Sequence, residues 1–317
     1  MLSKLRLPWA LLMGLALLFG FTACDGVDDD DLGTNEDKNI VEVATEDSRF
    51  SMLVDALVRT GLDDLLDDEN SDFTVFAPTN DAFNALGIDL STLTDQELEN
   101  ILLYHVFADD VRSGEIQEGK TYLGTAANIG PNNEPVSIVV ERSGSTVTIN
   151  DAATVVEADI VTENGVIHAI NTVLMPLDIV GHVMANDDFS QLATALGNAS
   201  GDLVSTLSAD DQTFTVFAPT DAAFAAVSDV VAGLTADELA SVLTYHVVAG
   251  ANATSSTLTD GQSFTTVQGE NFTIDIDGNN VTITDAQGNI ANVIFVNVQG
   301  TNGVVHVIDK VIMPNNL

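Results

Sequence analysis

Apolar and polar positions fall into blocks whose spacing defines elements. Phe73-Thr-Val-Phe-Ala-Pro-Thr79 is apolar but for its threonines, as in a short strand with at least one buried face, and Pro78 is expected to end it. Thr79 is then placed to cap a helix, with Asp81 in the first turn and Phe83 on the buried side. Thr94 and Glu97 have capping-box spacing, and Leu98, Ile101, Leu102 and His105 follow at i, i+3, i+4 and i+7. This predicts an amphipathic helix with a histidine on its apolar stripe. Ser137–Val140 and Thr146–Ile149 read as strands, and Asn164-Gly165, flanked by β-branched residues, reads as the turn of a hairpin.

Every block returns later in the same order. Over Phe73–Phe83 and Phe214–Phe224 nine of eleven positions are identical, at an offset of 141. Leu93–Val106 matches Leu234–Val247 at the same offset, and Asn164–Pro176 matches Asn302–Pro314 at 138. Thr220 repeats the cap, Thr235 and Glu238 the capping box, and Phe272–Ile276 with Val281–Thr284 the strands. A tandem duplication follows. Each unit is helices first and then mostly strands, which defines an α+β domain.

The repeated blocks resemble the signature of the fasciclin family. Its first motif is similar to Phe73–Phe83 and Phe214–Phe224. Its Tyr-His pair resembles Tyr104-His105 and Tyr245-His246, and its Asn-Gly-Val-(Ile/Val)-His block resembles Asn164–Pro176 and Asn302–Pro314. The resemblance implies two tandem fasciclin-type domains, at 37–177 and 178–317, each a β-rich wedge with helices packed against it. It implies adhesion or matrix proteins, extracellular or surface-anchored, with no catalytic machinery general to the family. Thr79, Tyr104, His105, Asn164, His168 and their counterparts Thr220, Tyr245, His246, Asn302 and His306 are expected to be structural. In vertebrate matrix members an Asp-Ile pair just before the Asn-Gly-Val motif is implicated in integrin binding. Asp159-Ile160 resembles that pair and is a candidate adhesion contact, while the second copy has Asn297-Val298. The other reading of Asp159 is a strand-edge acid before a turn.

Charge narrows the partners. The 317 residues hold 9 Lys+Arg against 48 Asp+Glu, and none of those bases lies between Arg142 and Lys310. Such a polyanion excludes nucleic acid as a partner. An apolar fraction of 45% is nevertheless enough to build two cores. Asp-rich, Lys-poor surfaces suit high ionic strength, where self-repulsion is screened.

The amino terminus reads as an address. Lys4 and Arg6 precede an apolar run from Leu7 to Phe21, shorter than the roughly 20 residues a membrane-spanning helix needs. Residues 1–23 are expected to be a signal peptide. Phe21-Thr22-Ala23-Cys24 resembles a bacterial lipobox, which implies that Cys24, the single cysteine, is lipidated and tethers the protein to the membrane. Simple cleavage near Ala23 is the alternative. Residues 24–36 form an acidic tether. Its resemblance to the surface-export signal of Bacteroidota lipoproteins implies anchoring to the cell envelope at the outer membrane with exposure there. A plain solvated tether that holds the domains off the membrane is the alternative.

Candidate chemistry is sparse. Four of the five histidines are repeat equivalents on apolar elements, His182 is the fifth, and none has transition-metal spacing. No nucleophile elbow, phosphate loop or dinucleotide fingerprint is present. Asp275–Gly278 reads as an Asp-Gly turn, and Asp63-Asp64 with Asp67-Asp68 as a solvated helix end, although such clusters could hold Ca²⁺ weakly. No catalytic or cofactor-binding residue is therefore expected. The expected partner is a surface polysaccharide or protein of the producer's own or neighbouring cells. An envelope glycan- or small-solute-binding lipoprotein is the alternative.

Overall fold

A computed structural model describes residues 35–68 and 71–317. Two seven-stranded sheets are built alike. The first contains Phe73–Pro78 (β1), Val106–Phe107 (β2), Gly119–Gly124 (β3), Ser137–Ser143 (β4), Thr146–Ile149 (β5), Ala153–Thr162 (β6) and Gly165–Ile170 (β7). The second contains Phe214–Pro219 (β8), Val247–Ala249 (β9), Ser263–Thr265 (β10), Asn271–Asp277 (β11), Asn280–Thr284 (β12), Ile290–Gly300 (β13) and Gly303–Ile308 (β14). Spatial order is β2-β1-β7-β6-β5-β4-β3, and the second sheet follows as β9-β8-β14-β13-β12-β11-β10. β1 runs parallel to β7 and β8 to β14, and the other pairs are antiparallel.

The repeated Phe-Thr-Val-Phe strand is buried on both faces, which explains its near-continuous apolar run. Phe73, Val75 and Ala77 face a core shared with the helices Ile40–Glu46, Ser51–Thr60 and Asp95–Leu103. Phe76 faces a second core, with Tyr104, Ile138, Val140 and Ile149. Phe214, Val216 and Ala218 repeat the first arrangement, and Phe217 repeats the second. Thr74 is buried in this strand because its hydroxyl donates to Asp109 O at 2.6 Å and accepts from Val111 N at 2.8 Å.

Pro78 ends β1 as its last residue, opposite Ile170, where the missing N–H is not needed. Two local expectations need correction. His105 lies just beyond the helix Asp95–Leu103 rather than on it, and His246 is the residue capping Ala236–Tyr245. Asn-Gly is not the centre of the hairpin turn, because Thr162 pairs with Gly165 across Glu163 and Asn164. Gly165 is already strand, at φ 142°, and a Cβ there would sit 1.9 Å from the Phe73 carbonyl oxygen. The glycine is required by the parallel neighbour, not by the turn.

The two halves touch. Lys120 on β3 pairs with Asp187 and lies 3.7 Å from Asp188. The Tyr122 ring lies 4.8 Å from that of Phe295, and its hydroxyl accepts from Asn186 Nδ2 at 2.5 Å. Deeper in, the Gln299 amide donates to Ser137 Oγ at 3.0 Å. The short link at Leu177-Asp178 thus joins packed domains. Among the described residues no helix is long and apolar enough to cross a membrane.

Candidate functional site

The signature residues hold elements together. Thr79 and Thr220 cap their helices by accepting from Ala82 N and Ala223 N. Tyr104 is buried; its hydroxyl donates to Ser137 O at 2.9 Å and accepts from Asn150 Nδ2 at 3.0 Å. Tyr245 repeats this with Asn271 O and Ala286 N. Burial pushes the Tyr245 phenol up to about 12.

Each repeated histidine is buried and ties two backbone groups. At His105, Nε2 receives the Leu174 amide at 2.9 Å and must be the acceptor, so Nδ1 carries the proton and donates to Ile101 O at 2.7 Å. His246 does the same with Ile312 N and Val242 O. His168 is the opposite tautomer: Nδ1 accepts from Asp159 N at 3.1 Å, and Nε2 donates to Val111 O at 2.9 Å. His306 follows it with Asn297 N and Ala253 O. Burial lowers His105, His246 and His306 to about 4, and His168 in the same direction. A neutral ring with both nitrogens engaged is a connector and offers no free lone pair.

Asp159 sits at a bulge. Glu157 pairs with Ala169 and Ile160 with Ile167, so Ala158 and Asp159 together oppose His168, and Asp159 takes φ 60°. Its carboxylate accepts from the Ser113 amide at 2.7 Å and closely from the Ser113 hydroxyl. Burial raises its pKa, but the Ser113 donors, with His168 and Arg112 nearby, hold it below the ordinary carboxylate value. Ile160 is half-buried against the helix-side core. Asn297 reproduces the bulge at φ 62°: its Oδ1 accepts from Ser255 N at 2.7 Å and its Nδ2 donates to Ser255 Oγ at 2.8 Å. Asp and Asn are the side chains that tolerate this conformation while bonding locally. Sequence reading missed Ser113 and Ser255. They lie 142 apart, one more than the motif offset, but their neighbours do not match.

Around the two bulges the surroundings differ. In the first half Glu157 and Ala158 are exposed, and Arg49 reaches Glu157 at 2.6 Å on the rim of a cleft of about 650 Å³ lined by Thr79, Asn80 and Val156. In the second half the corresponding Phe295, Val296 and Asn297 line a cleft of about 310 Å³ against Tyr122, Pro135 and Ser137 of the first.

Among the described residues no group of three or more His, Cys, Asp or Glu is arranged to hold a metal ion. Asp67 of the acidic helix end accepts from Asn39 Nδ2 at 2.5 Å, and Asp275 accepts from the Thr284 hydroxyl at 2.8 Å. Gly278, at φ 61°, makes the turn between β11 and β12. Cys24 and the tether through residue 34 lie outside the described residues.

The chain belongs to the fasciclin domain family, whose model matches residues 48–176 and 187–314. It is 41% identical over 140 residues to transforming growth factor-beta-induced protein ig-h3 of Sus scrofa, covering 43% of this chain and 19% of that one. Human periostin is 28% identical over 253 residues, 77% of this chain and 28% of periostin. The chain therefore spans less than a third of either protein. Protein sll1483 of Synechocystis is 36% identical over 150 residues, 45% of this chain and 76% of its own length. Among solved structures, a fasciclin domain pair from the insect cell adhesion molecule Fasciclin I matches with a TM-score of 0.52 at 21% identity, over 84% of this chain and 97% of that one. The helices Ile40–Glu46 and Ile179–Met184 precede the matched spans, yet their first amides bond to Asn164 and Asn302 of the signature.

Proposed function

We propose that this chain is a non-enzymatic adhesion or matrix module of the cell surface, exported and anchored to the outer membrane through lipidated Cys24. Its partner would be a surface polysaccharide or protein of its own or neighbouring cells. The observation that carries this reading is the unequal use of one strand segment. In the second domain Phe295 packs on Tyr122 of the first, whereas in the first domain the corresponding Glu157 and Ala158 are exposed, Glu157 pairing with Arg49 of its own domain. A surface already competent for domain contact is thereby free for an outside partner. Contact between two acidic surfaces would call for divalent cations as a bridge.

Binding of the exported chain, immobilised, to the producer's cells and extracted polysaccharide tests this, with Ca²⁺ added or chelated. Asp159→Asn is the informative variant, since Asn297 shows that the amide keeps the serine bonds while losing the charge. Saturable binding that weakens in Asp159→Asn supports the reading, and absence of binding under every condition overturns it. A second reading, an envelope protein that binds glycans or small solutes, is favoured by the aromatic-lined cleft at Tyr122 and Phe295. It predicts a thermal shift with neutral saccharides that Tyr122→Ala abolishes.

A further inference from the structure

The two copies differ in one groove. Helices Ser51–Thr60 and Ser190–Asn198 align through Phe50-Ser51 and Phe189-Ser190, which places Asn198 where the first copy has Arg59. Arg59 lies across its groove. Its guanidinium donates to Leu90 O at 2.8 Å and Leu93 O at 2.6 Å, and pairs with Asp95 at 2.9 Å. The space left beside it, lined by Met52, Ala56, Leu90 and Leu98, is about 170 Å³.

In the second copy the same groove measures about 400 Å³. Val231 and Leu234, the counterparts of Leu90 and Leu93, line it above a floor of Phe224 and Leu239. One backbone bond is shared, Leu234 N to Val231 O at 3.2 Å as Leu93 N to Leu90 O at 3.3 Å, although Val231 ends a helical turn, Ser228–Val231, where Leu90 begins one, Leu90–Thr92. Asn198 is too short to deliver a cation to these carbonyls. The surrounding domain is strongly anionic: residues 178–317 contain sixteen Asp and Glu and one base, Lys310, whose ammonium goes to Ile290 O at 2.7 Å.

We infer that the second-domain groove is a receptor for an arginine side chain presented by a partner protein, which supplies in trans the guanidinium that Arg59 supplies in cis. The planar fork of donors matches two convergent carbonyls, and the acidic domain draws a cation towards them. Asp95 is replaced by Ala236, so the visiting guanidinium keeps the carbonyl contacts without the direct ion pair. One such contact is weak, and a partner with several arginines gains by avidity. The groove exceeds the volume of one side chain, so its apolar floor takes the partner's flanking residue, which favours peptide arginine over the free amino acid. This inference does not depend on the adhesion reading, since it concerns a different face and is read by a small probe.

The test is an NMR titration of the chain with Nα-acetyl-arginine methylamide, beside the citrulline analogue and free arginine. Saturable amide shifts are expected at Asn198, Val231 and Leu234, with the citrulline analogue roughly tenfold weaker. Asn198→Arg fills the groove from within and should weaken binding by at least that factor. Arg59→Asn should open a second site, with new shifts at Leu90 and Leu93. Absence of saturation, equal binding of citrulline, or indifference to Asn198→Arg overturns the assignment. Tighter binding of free arginine than of the blocked form overturns the peptide partner.

Discussion

The side-chain oxygen of Asn164 accepts the amide of Ile40 at 2.9 Å, across 124 residues of chain. On the other side, Asn164 Nδ2 donates to Leu66 O at 2.7 Å. One buried amide in the turn before β7 thus fixes the start of one helix and the end of another. Asn302 does the same with Ile179 N at 3.1 Å and Leu207 O at 2.7 Å.

Asn164→Ala leaves a buried amide and a buried carbonyl without partners, at a cost on the order of 3 kcal/mol. Asn302→Ala should cost about as much in the second domain. Urea unfolding followed by a probe in each half is the measurement. A loss below ~1 kcal/mol would show that water replaces the side chain.

Gly303→Ala is expected to be more severe. Its Cβ would fall 2.1 Å from the Phe214 carbonyl oxygen, so β8 and β14 could not stay paired in parallel. The second domain should fail to fold, seen as loss of its dispersed amide resonances while those of the first remain.

Acid should destabilise the protein through its histidines. His105, His182, His246 and His306 are lowered to about 4 by burial, whereas unfolded histidine titrates near 6.5. Between those values the unfolded chain binds more protons, so this stability is present above about pH 6.5 and is lost as pH falls towards 4. His182 offers a clean subtraction. Its Nδ1 is buried without a partner, and Val43 occupies the corresponding place in the first copy. His182→Val should reduce proton uptake on unfolding near pH 5 by about one, measured as the slope of stability against pH. An unchanged slope would mean that the ring is already charged.

Tyr122→Ala should loosen the junction without unfolding either half. It removes the tilted ring contact with Phe295 and the bond from Asn186. Residual dipolar couplings should then fit two alignment tensors where the parent fits one. The Lys120 pair with Asp187 and Asp188 should make the variant more salt-sensitive than the parent, as exposed ion pairs are screened.

Much of this was legible because duplication doubled every signal. Thr94 with Glu97 and Thr235 with Glu238 form the capping boxes that their spacing predicts. The strands at Thr146–Ile149 and Asn280–Thr284 also fall where alternation places them. Longer-range geometry was hidden. A period of two cannot announce the bulge at Asp159, because its extra residue is defined only against β7. Gly165 looked like a turn residue since its real constraint, Phe73, lies 92 positions earlier. The groove beside Asn198 was invisible because the sequence does not say which side chain reaches across to Leu90.

The junction gives the tandem a direction. Glu157 and Phe295 hold equivalent positions, but it is Tyr122 of the leading copy that meets Phe295 of the trailing one; with the copies exchanged, Tyr122 would travel with Glu157 and the two rings would no longer meet. The repeats have therefore diverged into a leading and a trailing member. Lengthening such an array by further duplication would require each internal copy to carry both halves of the contact, a counterpart of Tyr122 for the copy behind it and of Phe295 for the copy ahead, while the leading copy alone keeps this strand segment open.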